Sequence, residues 1–163
     1  MEKYLRSTEI IDWKHPYVKD LAGSLATDPQ DTEEIAKRCF HWVRDNIRHS
    51  SDFKMSPVTC RASEALAAGT GYCYAKSHLL AALLRANGIP AGLCYQRLSR
   101  DDNGPPFVLH GLVAAYIPPY GWYRMDPRGN RPDIYAQFTP PVERLAFYPR
   151  LSEEADLPEI WTD

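Results

Sequence analysis

Gly71-Tyr72-Cys73-Tyr74-Ala75-Lys76-Ser77-His78-Leu79-Leu80-Ala81-Ala82-Leu83-Leu84-Arg85-Ala86-Asn87-Gly88-Ile89-Pro90-Ala91 is the stretch that decides the fold. Ala75, Leu79, Leu80, Leu83 and Leu84 recur at helical spacing and predict a helix over Cys73 to Ala86. Gly88 lies just past its end and Pro90 forbids continuation. Cys73 therefore falls in the first turn, where free backbone N–H groups and the helix dipole stabilise negative charge. The thiolate is the nucleophilic form of cysteine, so this position suits a reactive thiol. The plain alternative is a small buried hydrophobe, the usual state of a free cysteine.

Upstream of this stretch the chain reads as helical. A long helix is predicted from about Pro29 to Ile47, capped by Asp28 with Pro29 in its first turn. Ile35, Cys39, Val43 and Ile47 recur at every fourth residue, and Phe40 widens their stripe. Shorter helices are expected over His15 to Ala26 and over Ser63 to Ala68, the second capped by Ser63 and ended by Gly69. After Pro90 the period becomes strand-like. Strands are predicted over Ala91 to Leu98, Phe107 to Ile117 and Trp122 to Asp126, separated by loops rich in Asp, Asn, Gly and Pro. Helices followed by an antiparallel meander make an α+β domain. The tail from 129 to 163 is Pro-rich, and Leu151 to Asp163 is expected to lie over the surface.

Composition narrows the function classes. The 163 residues suit one domain, 1–163, and 44% are apolar, enough for a core without disulfides or metals. The formal charge of −2 leaves no basic footprint, so nucleic acid is not expected as a partner. No apolar run approaches the ~20 residues of a membrane span, and the first residues carry no apolar signal core. A cytoplasmic location is expected, with Cys39, Cys60, Cys73 and Cys94 as free thiols. The histidines and cysteines show no spacing for a metal, and no cofactor is expected.

His110 lies mid-strand beside Gly111, a hint that something approaches the backbone there. Asp126 ends the next strand before Pro127. Each has an ordinary reading, as a satisfied strand histidine and as a turn aspartate. With Cys73 they supply a thiol, an imidazole and a carboxylate, the set that nucleophilic acyl transfer needs. Strand parity tests the pairing. If Tyr116 stands opposite Trp122 across an odd loop, Leu112 stands opposite Asp126. His110 is then its diagonal neighbour on the same face, roughly 7–8 Å away between backbones. An even loop puts the two on opposite faces.

These residues resemble a known family. The Gly71-Tyr72-Cys73 box opening a leucine-rich helix, with Leu83-Leu84-Arg85-Ala86-Asn87-Gly88-Ile89-Pro90-Ala91 at its end, looks like the transglutaminase-like core. His110 matches the histidine of its following strand, and Trp122-Tyr123-Arg124-Met125-Asp126-Pro127 looks like its W-x-x-x-D-P box. The resemblance covers about Ile35 to Arg128 and implies a papain-like α+β fold, with a core over about 29–128. It implies Cys73 as nucleophile, His110 as general base and acid, and Asp126 as orienting carboxylate. A thioester would form from a peptide or protein amide and pass to water or an amine. The Cys73 backbone N–H would be one oxyanion donor, and the second has no evident residue. Leu112 and Arg128 depart from the aromatic residue and the threonine usual in the family. The large animal enzymes carry further domains and calcium sites, so a calcium-independent hydrolase is expected rather than a cross-linker. Tyr72 and Tyr74, flanking Cys73, are the expected substrate contacts. Two other readings stand beside this one: a catalytically silent binding module of the same fold, and a redox thiol resolved by Cys60 or Cys94.

Overall fold

Cys73–Ala86 forms the central helix of the computed structural model, which describes residues 1–26 and 31–163. In chain order the helices are α1 (Pro16–Leu25), α2 (Thr32–Asn46), α3 (Ser50–Phe53), α4 (Ala62–Ala68) and α5 (Cys73–Ala86). The strands are β1 (Arg48–His49), β2 (Thr70–Gly71), β3 (Ala91–Ser99), β4 (Phe107–Ile117), β5 (Gly121–Met125) and β6 (Ala155–Asp156). A 3-10 turn, Glu2–Leu5, precedes them.

All residues of α5 from Ala75 to Arg85 are buried, as expected of a helix apolar on most of its circumference. It packs against α1, α2 and α4 on one side and the sheet on the other. Its end is a Schellman motif: Gly88, at φ +74°, donates to Arg85 O and Ile89 donates to Leu84 O, both at 3.0 Å. Two buried basic side chains on α5 fasten distant backbone to it. Arg85 donates to the carbonyls of Ala91, Arg6 and Thr162 at 3.0, 2.7 and 2.7 Å, drawing both terminal segments onto the helix. Lys76 Nζ donates to the carbonyls of Arg44 and Ile47, where α2 ends with unpaired carbonyls; burial pushes its ammonium down to about 7.

The α2 stripe of Ile35, Cys39, Phe40, Val43 and Ile47 is buried as its spacing predicts. The helix begins at Thr32, and Asp31 caps it by accepting the Glu34 N–H at 2.9 Å. The expected cap at Asp28 and Pro29 lies outside the described residues. Ser63 does not cap α4. That helix starts at Ala62, with the Glu64 carboxylate accepting the Cys60 and Arg61 N–H groups. Ser63 turns to Asp12 instead, its N–H and hydroxyl donating at 3.0 and 2.5 Å. A carboxylate distant in sequence takes the hydroxyl that local reading assigns to the cap.

The sheet is antiparallel in the order β5-β4-β3-β6. Leu93, Val113, Ala115 and Ile117 face the helices; Cys94, Leu112 and Ala114 face away, covered by Trp122, Leu145 and Ile160. Tyr116 pairs with Trp122, so the hairpin loop is odd, and β5 ends one residue before Asp126. A separate two-stranded parallel sheet joins β1 to β2, pairing His49 with Gly71. Strands of two residues have no period to read. The tail lies at the surface, most of 151–163 being exposed, and it is pinned there by backbone pairing that its sequence does not announce. β6 adds an edge to β3, and Trp161 and Leu93 exchange both backbone hydrogen bonds at 2.8 Å. Among the described residues no helix is long and apolar enough to cross a membrane.

Gly92 admits the tail. A Cβ there would lie 2.5 Å from Ile160 Cγ2 and 2.7 Å from the Trp161 carbonyl. Gly92→Ala is therefore expected to lift the 155–163 segment from β3. Denaturant unfolding should show a loss of about 1–3 kcal/mol, and limited proteolysis should cut the tail sooner. An unchanged digestion pattern would count against this packing.

Candidate active site

The chain enters α5 through a fixed approach. The parallel pairing of β1 and β2 holds Thr70 and Gly71, and Thr59 Oγ1 donates to the Thr70 carbonyl at 2.9 Å. Tyr72, extended at φ −68° and ψ 172°, caps the helix, and Cys73 is its first residue.

The first turn docks on β4 at Gly111. The Gly111 N–H donates to Cys73 Sγ at 3.4 Å, and Ser77 Oγ lies 2.8 Å from the Cys73 carbonyl and 3.2 Å from the Gly111 carbonyl. Both backbone polar groups of Gly111 thus bond to α5. A Cβ at 111 would stand 3.2 Å from Tyr74 Cα, a backbone atom, so the absent side chain is what allows the approach.

His110 projects from the opposite face of β4 to Gly111. Its Nε2 donates to Asp126 Oδ2 at 2.7 Å. That leaves Nδ1 to serve Cys73, which stands close enough to the ring for each to shift the other's ionisation. Asp126 is fully buried and accepts two more donors: the Arg128 N–H on Oδ1 and the Ala146 N–H on Oδ2, each at 3.1 Å. The structure therefore brings together the three side chains singled out from sequence. Tyr72 and Tyr74 are half-buried beside Cys73, their rings nearly parallel at 11° with centroids 6.1 Å apart. Cys73 itself is partly accessible.

Electrostatics organise the trio. Burial pushes the Cys73 thiol up, but the hydrogen bond and charge of His110, helped by the Gly111 N–H, bring it below its ordinary value. Burial alone would lower His110; the Asp126 charge and hydrogen bond, then Cys73, raise it to about 10. For Asp126, burial raises the carboxyl, but His110 and then the two backbone donors outweigh that and hold it below its ordinary value.

Other neighbours have no signal in the linear sequence. His49 is buried edge-on to Tyr72, with centroids 5.8 Å apart, and its Nδ1 has no hydrogen-bond partner. Burial, then the charge of Arg128, depresses it to about 4, so it is neutral at physiological pH. Arg128 makes a two-pronged ion pair with Asp52 at 2.7 and 3.0 Å. Phe147 meets the His110 ring at 87° with centroids 4.9 Å apart. His78 takes no part in the trio, since its Nδ1 bonds the Cys60 carbonyl at 2.7 Å.

Comparison with known proteins identifies the family and the fold. The family model of the transglutaminase-like superfamily matches residues 19–127. A search of the curated proteins gives no match. Among solved structures, the chain is similar to a protein from Cytophaga hutchinsonii provisionally described as a cysteine protease. The TM-score is 0.60 at 21% identity, covering 77% of this chain and 40% of that one. It is also similar to the periplasmic domain of TgpA from Pseudomonas aeruginosa, with TM-score 0.52 and 20% identity over 76% of this chain and 45% of that one. A protein from Parabacteroides distasonis, provisionally described as a protease, gives TM-score 0.52 at 17% identity, covering 76% of this chain and 24% of that one. The chain spans less than half the length of each of these structures, and at such identity the likeness is one of fold.

Linkage gives a test of the buried pair. A raised imidazole stabilises the fold fully below the unfolded histidine value of about 6.5, and that contribution is lost as pH rises towards about 10. The Cys73 thiol, shifted down, acts in the opposite sense, so Cys73→Ala removes it. Between about pH 6.5 and 9.5, stability should fall more steeply in Cys73→Ala than in Cys73→Ala with Asp126→Asn. Equal slopes would show that Asp126 does not hold the imidazole protonated.

Proposed function

We propose that this chain, which belongs to the transglutaminase-like superfamily, is a thiol-dependent acyl-transfer enzyme acting on a peptide, glutamine or isopeptide-like amide. The observation that carries the reading is the hydrogen-bonded His110–Asp126 pair standing against Cys73 at a helix N-terminus. Cys73 as thiolate adds to the amide carbonyl carbon. His110 gives its proton to the departing amine as the C–N bond breaks, leaving a thioester on Cys73. Now neutral, His110 takes a proton from water or an acceptor amine, which attacks the thioester; the C–S bond breaks, the acyl product leaves, and the Cys73 thiolate with protonated His110 is restored. Asp126 holds the ring and stabilises its protonated form.

Two donors are assigned to the oxyanion: the Cys73 backbone N–H and neutral His49, which is paired beside Gly71 and is edge-on to Tyr72. Tyr72 and Tyr74 are assigned to the walls of the substrate cleft. Hydrolysis is favoured over cross-linking by the two neighbours described as proteases. Every proton transfer is assigned to a side chain of this chain, so calcium has no place in the scheme. The partner is a peptide or protein amide rather than nucleic acid or a membrane. A cytoplasmic setting is proposed on the four free thiols alone; the periplasm is the setting of the TgpA domain.

The test is alkylation of Cys73 by iodoacetamide against pH, followed by mass spectrometry of Cys73 after incubation with a library of peptide amides. Labelling should persist well below the ordinary thiol value of about 8.5, be unaffected by a chelator, and slow roughly ten-fold or more near pH 6 in His110→Ala. An acyl adduct should appear on Cys73, and turnover of any amide so found should fall by about 10²–10⁴ in His110→Ala. A labelling curve that follows a free cysteine would overturn the reading.

A further inference from the structure

Beyond the family match, which ends at residue 127, the chain folds back on the candidate site. Its Ala146 N–H donates to Asp126 Oδ2 at 3.1 Å. The next residue, Phe147, sets its ring at right angles to His110, with the Arg128 guanidinium carbon 5.6 Å from the centroid of the Phe147 ring. The Phe147 carbonyl accepts Gln96 Nε2 at 3.2 Å, and Gln96, fully buried, is the residue paired with His110 across β3 and β4. Gln96 also donates to Asp156 Oδ1 at 2.8 Å. Arg124 ties both ends of this strap, to Glu143 at 2.8 Å and to Asp156 at 2.9 Å. Asp126 itself, Gln96 of β3 and Arg124 of β5 therefore hold the segment from 143 to 156 beside the His110–Asp126 pair.

We propose that Phe147 is a positioning residue for the His110–Asp126 pair, held over it by the 143–156 strap so that water is kept from the imidazole–carboxylate hydrogen bond and the ring plane is set. The inference rests on the reading of Cys73, His110 and Asp126 given above. Burial by itself disfavours the imidazolium, but the attraction and hydrogen bond of Asp126 strengthen as water is excluded and outweigh that cost, so the apolar cover favours protonated His110 and, through it, thiolate at Cys73. Phe147 is only half-buried. It forms the outer wall, and truncating the ring opens the pair to solvent. The charged and titratable groups around His110 are Cys73 of α5, His49 of β1, and Asp126 and Arg128 after β5. Lys76 of α5 and Asp52 of α3 lie against Arg128. Phe147 adds no charge, so its effect is one of shielding and placement.

The experiment is the iodoacetamide labelling rate of Cys73 in the full chain, followed from about pH 5 to 10, in wild type, Phe147→Ala, Phe147→Leu, Gln96→Leu and His110→Ala. Phe147→Ala should move the acid limb up by about one pH unit, so that labelling near pH 6 slows roughly ten-fold while the rate near pH 9 is kept. Phe147→Leu, which retains an apolar cover, should recover most of the loss. Gln96→Leu, which releases the Phe147 carbonyl but leaves the ring, should give a smaller shift of the same sign. It decides the matter if Phe147→Ala does not fold. A folded Phe147→Ala with the wild-type profile, or a Gln96→Leu with it where Phe147→Ala fails to fold, overturns the inference. If His110→Ala also keeps the wild-type profile, the triad reading itself falls; if only His110→Ala shifts, the triad stands and the role of Phe147 does not.

Discussion

The fold depends on one close approach, that of the first turn of α5 to β4 at Gly111. A side chain at 111 would press a carbon to 3.2 Å from the Tyr74 backbone. Without it, the Gly111 N–H reaches the Cys73 sulfur and its carbonyl receives Ser77. The remainder of α5 is driven into the interior by its leucines and alanines, whereas at its start the contact is polar: it is the strand's own N–H and carbonyl that are met, by the Cys73 sulfur and the Ser77 hydroxyl. That contact places the sulfur beside the residue that precedes Gly111, His110.

A comparison within the chain shows what that placement does. Cys39 and Cys94 are buried thiols without an imidazole, and burial pushes them up to about 12 and about 11. Cys60, on the surface, is also raised, by burial first and then by the charge of Glu64. Cys73 experiences the same desolvation and ends below the ordinary value because His110 stands against it. His110 in turn keeps its proton because Asp126, completely buried, has backbone donors from two loops besides the ring. The ionisation of each member is thus decided by the next, and the last is held by backbone.

The carboxylate end draws on parts of the chain far from α5. Arg128 supplies one donor and Ala146 the other, and Phe147 and Gln96 close over the ring. On the opposite side, Lys76 binds the carbonyls at the end of α2, and through Ile47 it steadies the entry to β1 and His49. The two flanks of the site are therefore anchored by contacts that pair residues dozens of positions apart.

Much of this was legible in the residues themselves. The bounds of α5 followed from leucine spacing, Gly88 and Pro90, because the periodicity of a long helix and its stop signals are local properties. The antiparallel meander followed from the change of period and the loop residues between strands. Strand parity made the meeting of His110 and Asp126 conditional on an odd hairpin loop, and the Tyr116–Trp122 pairing supplied that condition. Only the tertiary structure decided the partner of Ser63, the tail strand against β3, the burial of His49 and the cover of Phe147 over His110. Each of these is a contact between segments distant along the chain, made by short or irregular pieces whose own sequence has no period, and its energy exists only once the core has brought the two segments together.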